Sequence, residues 1–254
     1  MTIVLSTLTP GGIVMAGEGR TIKVKTKDVD FRDTDKKIDF EPLTDNTEKV
    51  HLIADRFGLA YSGLGSYKEW CLHDTINEFN HIVRLNLRNN LSFNVQEAGG
   101  IFNGLVQKSI PPGAGCEFFW AGYSPRTGKP FQVCYRGGQD VTDTENVPKG
   151  WRTDIPEYPD GCYHHGLAML GRIKIISDFL NGKKIRWSHM SLRDATECVA
   201  WLLSVGTQGL KFFEGEQQLS GGGADILAIT PNGAGYVKNK ALDLFREGGV
   251  NVGA

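Results

Sequence analysis

No stretch of this chain is apolar for anything near the roughly 18 residues that span a bilayer. The opening Met-Thr-Ile-Val-Leu-Ser has no basic region and no small-residue cleavage site, so it does not read as a signal peptide. Neither sign of charge dominates: 28 Lys and Arg stand against 29 Asp and Glu, a net charge of −1. That balance gives no electrostatic footing for nucleic acid and no acidic tail for a basic partner. The five cysteines, Cys71, Cys116, Cys134, Cys162 and Cys198, include no CxxC pair. Odd in number and dispersed, they read as reduced thiols of the cytoplasm, not as a disulfide framework or a zinc site. Gly221-Gly222-Gly223 has no GK[ST] or GxGxxG around it, so it is not a phosphate loop. His164-His165 is a poor chelate, because neighbours on a helix point about 100° apart. The expectation is therefore no metal, no cofactor, no nucleic acid and no membrane.

What is present is an ordinary globular composition, 40% hydrophobic and 22% charged. The 254 residues suffice for one large domain. The 32 glycines are nearly twice the average share of roughly 7%, and they punctuate turns without a period. No linker and no repeat interrupts the chain, so 1–254 reads as a single domain.

The pattern starts as a hairpin: Thr2 to Ser6, the turn Thr9-Pro10-Gly11-Gly12, then Ile13 to Ala16. Residues 21–48 are polar and read as an insertion at the sheet rim. A strand is expected over Lys49 to Ala54, a turn at Asp55-Arg56-Phe57-Gly58, and a strand over Leu59 to Ser62. Ile76, Phe79, Val83 and Leu87 then share one helical face, and so do Ala98, Ile101, Phe102, Leu105 and Val106. Asn94 stands where a cap for the second helix belongs. Cys71-Leu72-His73-Asp74 reads as helix surface, and the tryptophans as core or interface anchors.

A hairpin follows: Cys116 to Tyr123, a turn over 124–128, and Pro130 to Tyr135. Residues 137–161 read as a long loop. A second helix pair is expected, the first over about 164–180 with Met169, Ile173, Ile176 and Leu180 inward. The second opens on the capping pair Ser191 and Asp194 and carries Ala195, Cys198, Val199, Leu202 and Leu203. The last hairpin is Ala224 to Thr230, Pro231-Asn232-Gly233, and Ala234 to Lys238, and residues 239–254 read as a short helix-like piece and a Gly-rich tail. Strands, helix pair, strands, helix pair, strands is an α+β order. Two antiparallel sheets, each covered by a helix pair, would bury every apolar face in a four-layer αββα sandwich.

Several short segments, in order on that scheme, resemble a proteasome β-type subunit of the N-terminal nucleophile (Ntn) hydrolase superfamily. They are Thr2-Ile3-Val4, Gly12 to Arg20, Lys49-Val50-His51-Leu52-Ile53, Ser62-Gly63-Leu64-Gly65, Ala121-Gly122-Tyr123 and Ser220-Gly221-Gly222. The resemblance covers most of the chain; 21–48 and 137–161 fit it poorly. It implies a threonine-type peptidase whose nucleophile is Thr2, freed by removal of Met1. The α-amine of Thr2, ordinarily near 7.7–8.0, would accept the hydroxyl proton. Lys49 matches the family's lysine, which favours alkoxide character at the threonine. Glu18 matches an aspartate that supports that lysine, and is one methylene longer. Gly63 and Gly65 flank the place of the oxyanion-hole amide. Ser220 is kept, whereas Gln217 stands where the family has an aspartate, and His164 or His165 falls near a supporting serine. The resemblance further implies a homo-oligomeric ring acting on peptides or unfolded protein, of a kind often fed by an ATP-driven unfoldase. Two other outcomes stay open: a catalytically silent scaffold subunit, and an Ntn amidase or peptide ligase with a different substrate.

Overall fold

The computed structural model describes residues 2–24, 40–44, 47–63, 65–67, 70–89, 94–95, 98–110, 115–138, 151–154, 166–213 and 221–238. Two strands open the chain, β1 (Ile3–Thr9) and β2 (Gly12–Glu18), joined at Pro10-Gly11. A short pair follows, β3 (Thr21–Val24) and β4 (Phe40–Thr44), then β5 (Val50–Ile53) and β6 (Phe57–Gly63). A two-residue pair, β7 (Ser66–Tyr67) and β8 (Trp70–Cys71), leads into α1 (Leu72–Arg88) and α2 (Ala98–Ser109). Next come β9 (Gly115–Tyr123), β10 (Pro130–Gly138), β11 (Trp151–Asp154) and β12 (Gly166–Gly171). The last elements are α3 (Lys174–Leu180), a 3-10 turn at Trp187–His189, α4 (Leu192–Phe213), β13 (Ala224–Thr230) and β14 (Gly233–Lys238).

Two five-stranded sheets result, ordered β12-β1-β2-β13-β14 and β11-β10-β9-β6-β5, and every pairing in them is antiparallel. Period-two alternation sends successive side chains to opposite faces. Ile3, Leu5, Val14, Ala16 and Ile226 pack with Ile176, Val199, Leu202 and Leu203 of α3 and α4. Val4, Leu8, Ile13, Met15, Leu227 and Ile229 turn the other way and meet Val50, Ala60, Phe119 and Ala121 of the second sheet. That sheet's outer face, with Phe57, Leu59, Phe118 and Trp120, packs on Phe79, Val83, Phe102 and Val106 of α1 and α2. The protein is α+β, with two antiparallel sheets and four α-helices among the described residues. Its three apolar clusters are those a helix–sheet–sheet–helix stack buries. No helix among the described residues is long and apolar enough to cross a membrane.

Several sequence expectations need correction. The helix expected over 164–180 is a strand, β12, followed by a helix of seven residues, α3. Leu167-Ala168-Met169-Leu170 is a short apolar run, which periodicity cannot assign to helix or strand; Met169 pairs with Leu5 on the edge of the first sheet. The rim segment 21–48 carries paired strands, β3 and β4. The loop 137–161 contains β11, which adds an edge strand to β10. Phe57 and Gly58 belong to β6, and the turn before them is Ala54-Asp55, both at positive φ (49° and 59°). Leu72 lies in the core, and Ile101 is exposed. Asn94 accepts from Ala98 N–H through its backbone carbonyl, at 3.1 Å. The capping box of α4 forms as read: Ser191 Oγ accepts from Asp194 N–H at 3.1 Å, and Asp194 Oδ2 accepts from Ser191 N–H at 3.2 Å. The tail 239–254 lies outside the described residues.

Candidate active site at one end of the sheets

The register decides which residues share an end. Ile3 pairs with Gly171, Val4 with Gly17, and Ala224 with Glu18. In the second sheet Val50 pairs with Ala60, and Gly63 with Cys116. The head of β1, the tails of β2, β6 and β12, and the heads of β5, β9 and β13 therefore lie together. Thr2, Glu18, Lys49 and Gly63 all reach this end, from four separate segments.

Thr2 precedes a central strand and is 2% exposed. Its carbonyl accepts from Arg172 N–H at 3.0 Å. A Cβ on Gly171 would lie 1.6 Å from that carbonyl oxygen and 2.8 Å from Ser62 Oγ. Only a glycine, here at φ 84°, fits beside both groups.

Lys49 is 2% exposed, although lysines are almost never fully buried unless paired. Its chain lies over Gly17, whose absent Cβ would stand 2.9 Å from Lys49 Cβ. Its ammonium is 4.7 Å from the centre of the Tyr61 ring, and the Lys49 carbonyl accepts from Tyr61 N–H at 3.1 Å. A buried ammonium is costly unless charges and dipoles compensate it. Glu18, 1% exposed, stands in its field. Glu18 Oε2 accepts from Gly221 N–H at 2.8 Å and from Arg20 N–H at 2.9 Å. Burial drives the Glu18 carboxyl upward from its ordinary value, against those two backbone bonds and the Lys49 charge. The thiol of Cys116, under the same ammonium, is pushed up to about 12 by burial.

Three residues at this end were not singled out from sequence. Asp225 is fully buried and pairs with Gly17 across β13 and β2. His51 is buried, stacks on Tyr61 at 5.8 Å, and is lowered to about 3 by burial and then by His73, with Asp225 opposing. Ser62 is buried, with its Oγ beside Gly171 as the Thr2 carbonyl is. The signal for Asp225 was a charge inside the apolar alternation Ala224 to Thr230. For His51 it was a polar residue in the strand Val50–Ile53.

Gly63 ends β6 at φ 119°, is exposed, and is joined to Cys116 in the register. Gly65 is half-buried, and its carbonyl accepts from Leu72 N–H at 2.9 Å. Gln217, Ser220, His164 and His165 lie outside the described residues, as does Cys162; Cys71, Cys116, Cys134 and Cys198 are free thiols. Among the described residues no three His, Cys, Asp or Glu side chains gather as a metal site would. No protein-family model matches the chain, and no curated protein does.

Proposed function

We propose that the chain is a threonine-type peptidase of the proteasome-like Ntn hydrolase kind, a single catalytic domain working in the cytoplasm. One observation carries this reading. Among the described residues, the buried Asp, Glu, Lys and Arg side chains are Glu18, Lys49 and Asp225, and all three lie at the Thr2 end. Buried charge opposes folding, and its concentration at one strand end is what a reaction centre requires.

With Met1 removed, the free α-amine of Thr2 takes the proton from Oγ1 as that oxygen attacks the substrate carbonyl. Lys49 stabilises the oxygen's negative charge, and Glu18 balances the ammonium. A backbone N–H at Gly63 or Gly65 donates to the carbonyl oxygen as its C=O bond opens. The tetrahedral adduct collapses to an ester on Thr2, and the leaving amine departs with the proton. Water then attacks the ester, its proton passing to the same α-amine and on to Oγ1 as the ester bond breaks. Gln217 and Ser220 would complete the surroundings of the amine. The same reading carries a homo-oligomeric ring, peptides or unfolded protein as substrate, and an ATP-driven unfoldase as feeder.

A silent scaffold subunit is the second reading. Burial of the Glu18 carboxyl favours it, because desolvation works against the charge that would balance Lys49. Intact mass and labelling with a β-lactone separate the two. The peptidase loses Met1 and takes one lactone on Thr2, and Thr2→Ala takes none. Retention of Met1 without labelling, or equal labelling of both forms, overturns the peptidase reading.

A further inference from the structure

Among the described residues β5 is the outer strand of the second sheet, with a neighbouring strand on one side only. Lys49 O points to β6, where Tyr61 N–H meets it. By alternation, Val50 O and Leu52 N–H point to the open side. Such a donor–acceptor pair, two residues apart, is what the next strand of a sheet would engage. It is engaged instead by one hydroxyl. Tyr236 OH accepts from Leu52 N–H at 3.3 Å and stands 2.8 Å from Val50 O. The Glu48 carboxylate also contacts it closely. The hydroxyl has one proton to give and two acceptors in reach.

Tyr236 belongs to β14, the outer strand of the other sheet, and its ring packs against the cluster between the sheets. Burial, then the bond to Glu48, raises its pKa, so the hydroxyl stays protonated and able to donate. The three groups it holds come from residues 48, 50 and 52, which bracket Lys49. Glu48 also lies 3.7 Å from His51 Nδ1, the next side chain along.

We propose that Tyr236 is a positioning residue: its hydroxyl takes the place of a sixth strand on β5 and fixes the strand end that carries Lys49 against the opposite sheet. The clamp itself stands on these hydrogen bonds, and its consequence for catalysis rests on the peptidase reading. Tyr236→Phe keeps the ring and removes the three polar contacts. In wild type the Leu52 amide exchanges slowly with deuterium; in Tyr236→Phe it exchanges at least about tenfold faster. The Lys49 side-chain NMR signals, assigned by their loss in Lys49→Arg, shift in the same variant. The β-lactone labels Thr2 at least about tenfold more slowly, with its reversible binding constant unchanged. Glu48→Gln leaves Leu52 exchange as in wild type.

A Leu52 amide that exchanges in wild type as an open edge amide does overturns the clamp, whether or not the variant folds. So does Tyr236→Phe that melts lower while the Lys49 signals stay in place, since the hydroxyl's bonds then support the fold without fixing Lys49. A wild type that takes no lactone rejects the peptidase reading, and the exchange and NMR results still decide the clamp.

Discussion

At the Thr2 end of the sheets the chain buries Glu18, Lys49 and Asp225 and ties them through contacts between distant segments, such as Gly221 N–H to Glu18. At the opposite end the same strands are joined by short turns whose polar groups close locally. Thr9 Oγ1 donates to Gly12 O, and Thr230 Oγ1 to Gly233 O. An ion pair there, Arg84 to Asp55 at 2.9 Å, is 39% and 69% exposed, so solvent screens it. It still has a local use, since Asp55 tolerates the positive φ of that turn and Arg84 holds it from α1. One end is closed at low cost by neighbours in sequence. The other is assembled at high cost by residues far apart.

The sharpest way to break this contrast is to make one substitution at both ends. Gly171 and Gly128 share a left-handed backbone, at φ 84° and 68°. A Cβ on Gly128 meets nothing within 4 Å, whereas on Gly171 it would strike the Thr2 carbonyl oxygen. Gly171→Ala is expected to lose more than about 4 kcal/mol of stability. Gly128→Ala is expected to lose about 1 kcal/mol, the backbone penalty alone. Urea denaturation measures both, and equal losses would show that the two ends are built alike.

His51 gives the next effect. Its imidazole is lowered from 6.5 to about 3 in the folded protein, first by burial and then by His73. The unfolded chain takes up that proton at higher pH than the folded one. Its stabilising contribution is therefore whole above pH 6.5 and drains as pH falls toward about 3. The slope approaches about 1.4 kcal/mol per pH unit. His51→Gln should flatten that acid limb in denaturation series at stepped pH; an unchanged limb would assign it to other groups. The smallest effect belongs to the far end, where α4 starts. Ser191→Ala removes the side chain that accepts from Asp194 N–H and should cost about 1 kcal/mol, leaving lactone labelling of Thr2 at the wild-type rate. A fall in labelling would mean that the two ends are coupled through α4.

Much of the fold was legible because the signals were local. The hairpins at 3–18 and 224–238 follow alternation and turn residues, and α1 and α4 follow an apolar stripe. What failed was also local in origin. A four-residue apolar run such as 167–170 carries no period long enough to separate strand from helix, so β12 was invisible. The strands β3, β4 and β11 sit in polar or mixed sequence, where alternation has no apolar face to reveal it. Thr2, Glu18 and Lys49 were named through resemblance; the register sets Thr2 and Glu18 at one end of the first sheet, and the packing of Lys49 over Gly17 brings the second sheet to it. Asp225 was passed over although its charge interrupts the apolar alternation of its strand, whereas Ser62 and Tyr236 are marked only by burial and contact across the two sheets, which spacing along one strand does not encode.

The hydrogen bond from Arg172 N–H to the Thr2 carbonyl has a consequence for processing. It anchors the strand at the first atom pair beyond the peptide bond that a methionine aminopeptidase would cut. Trimming up to Thr2 leaves that anchor in place, and the new terminus is born already docked. Trimming one residue further removes the acceptor itself and leaves Ile3 as the terminus, a residue that belongs to the buried face beneath α4. On the peptidase reading, the anchor is kept only if processing stops between residues 1 and 2.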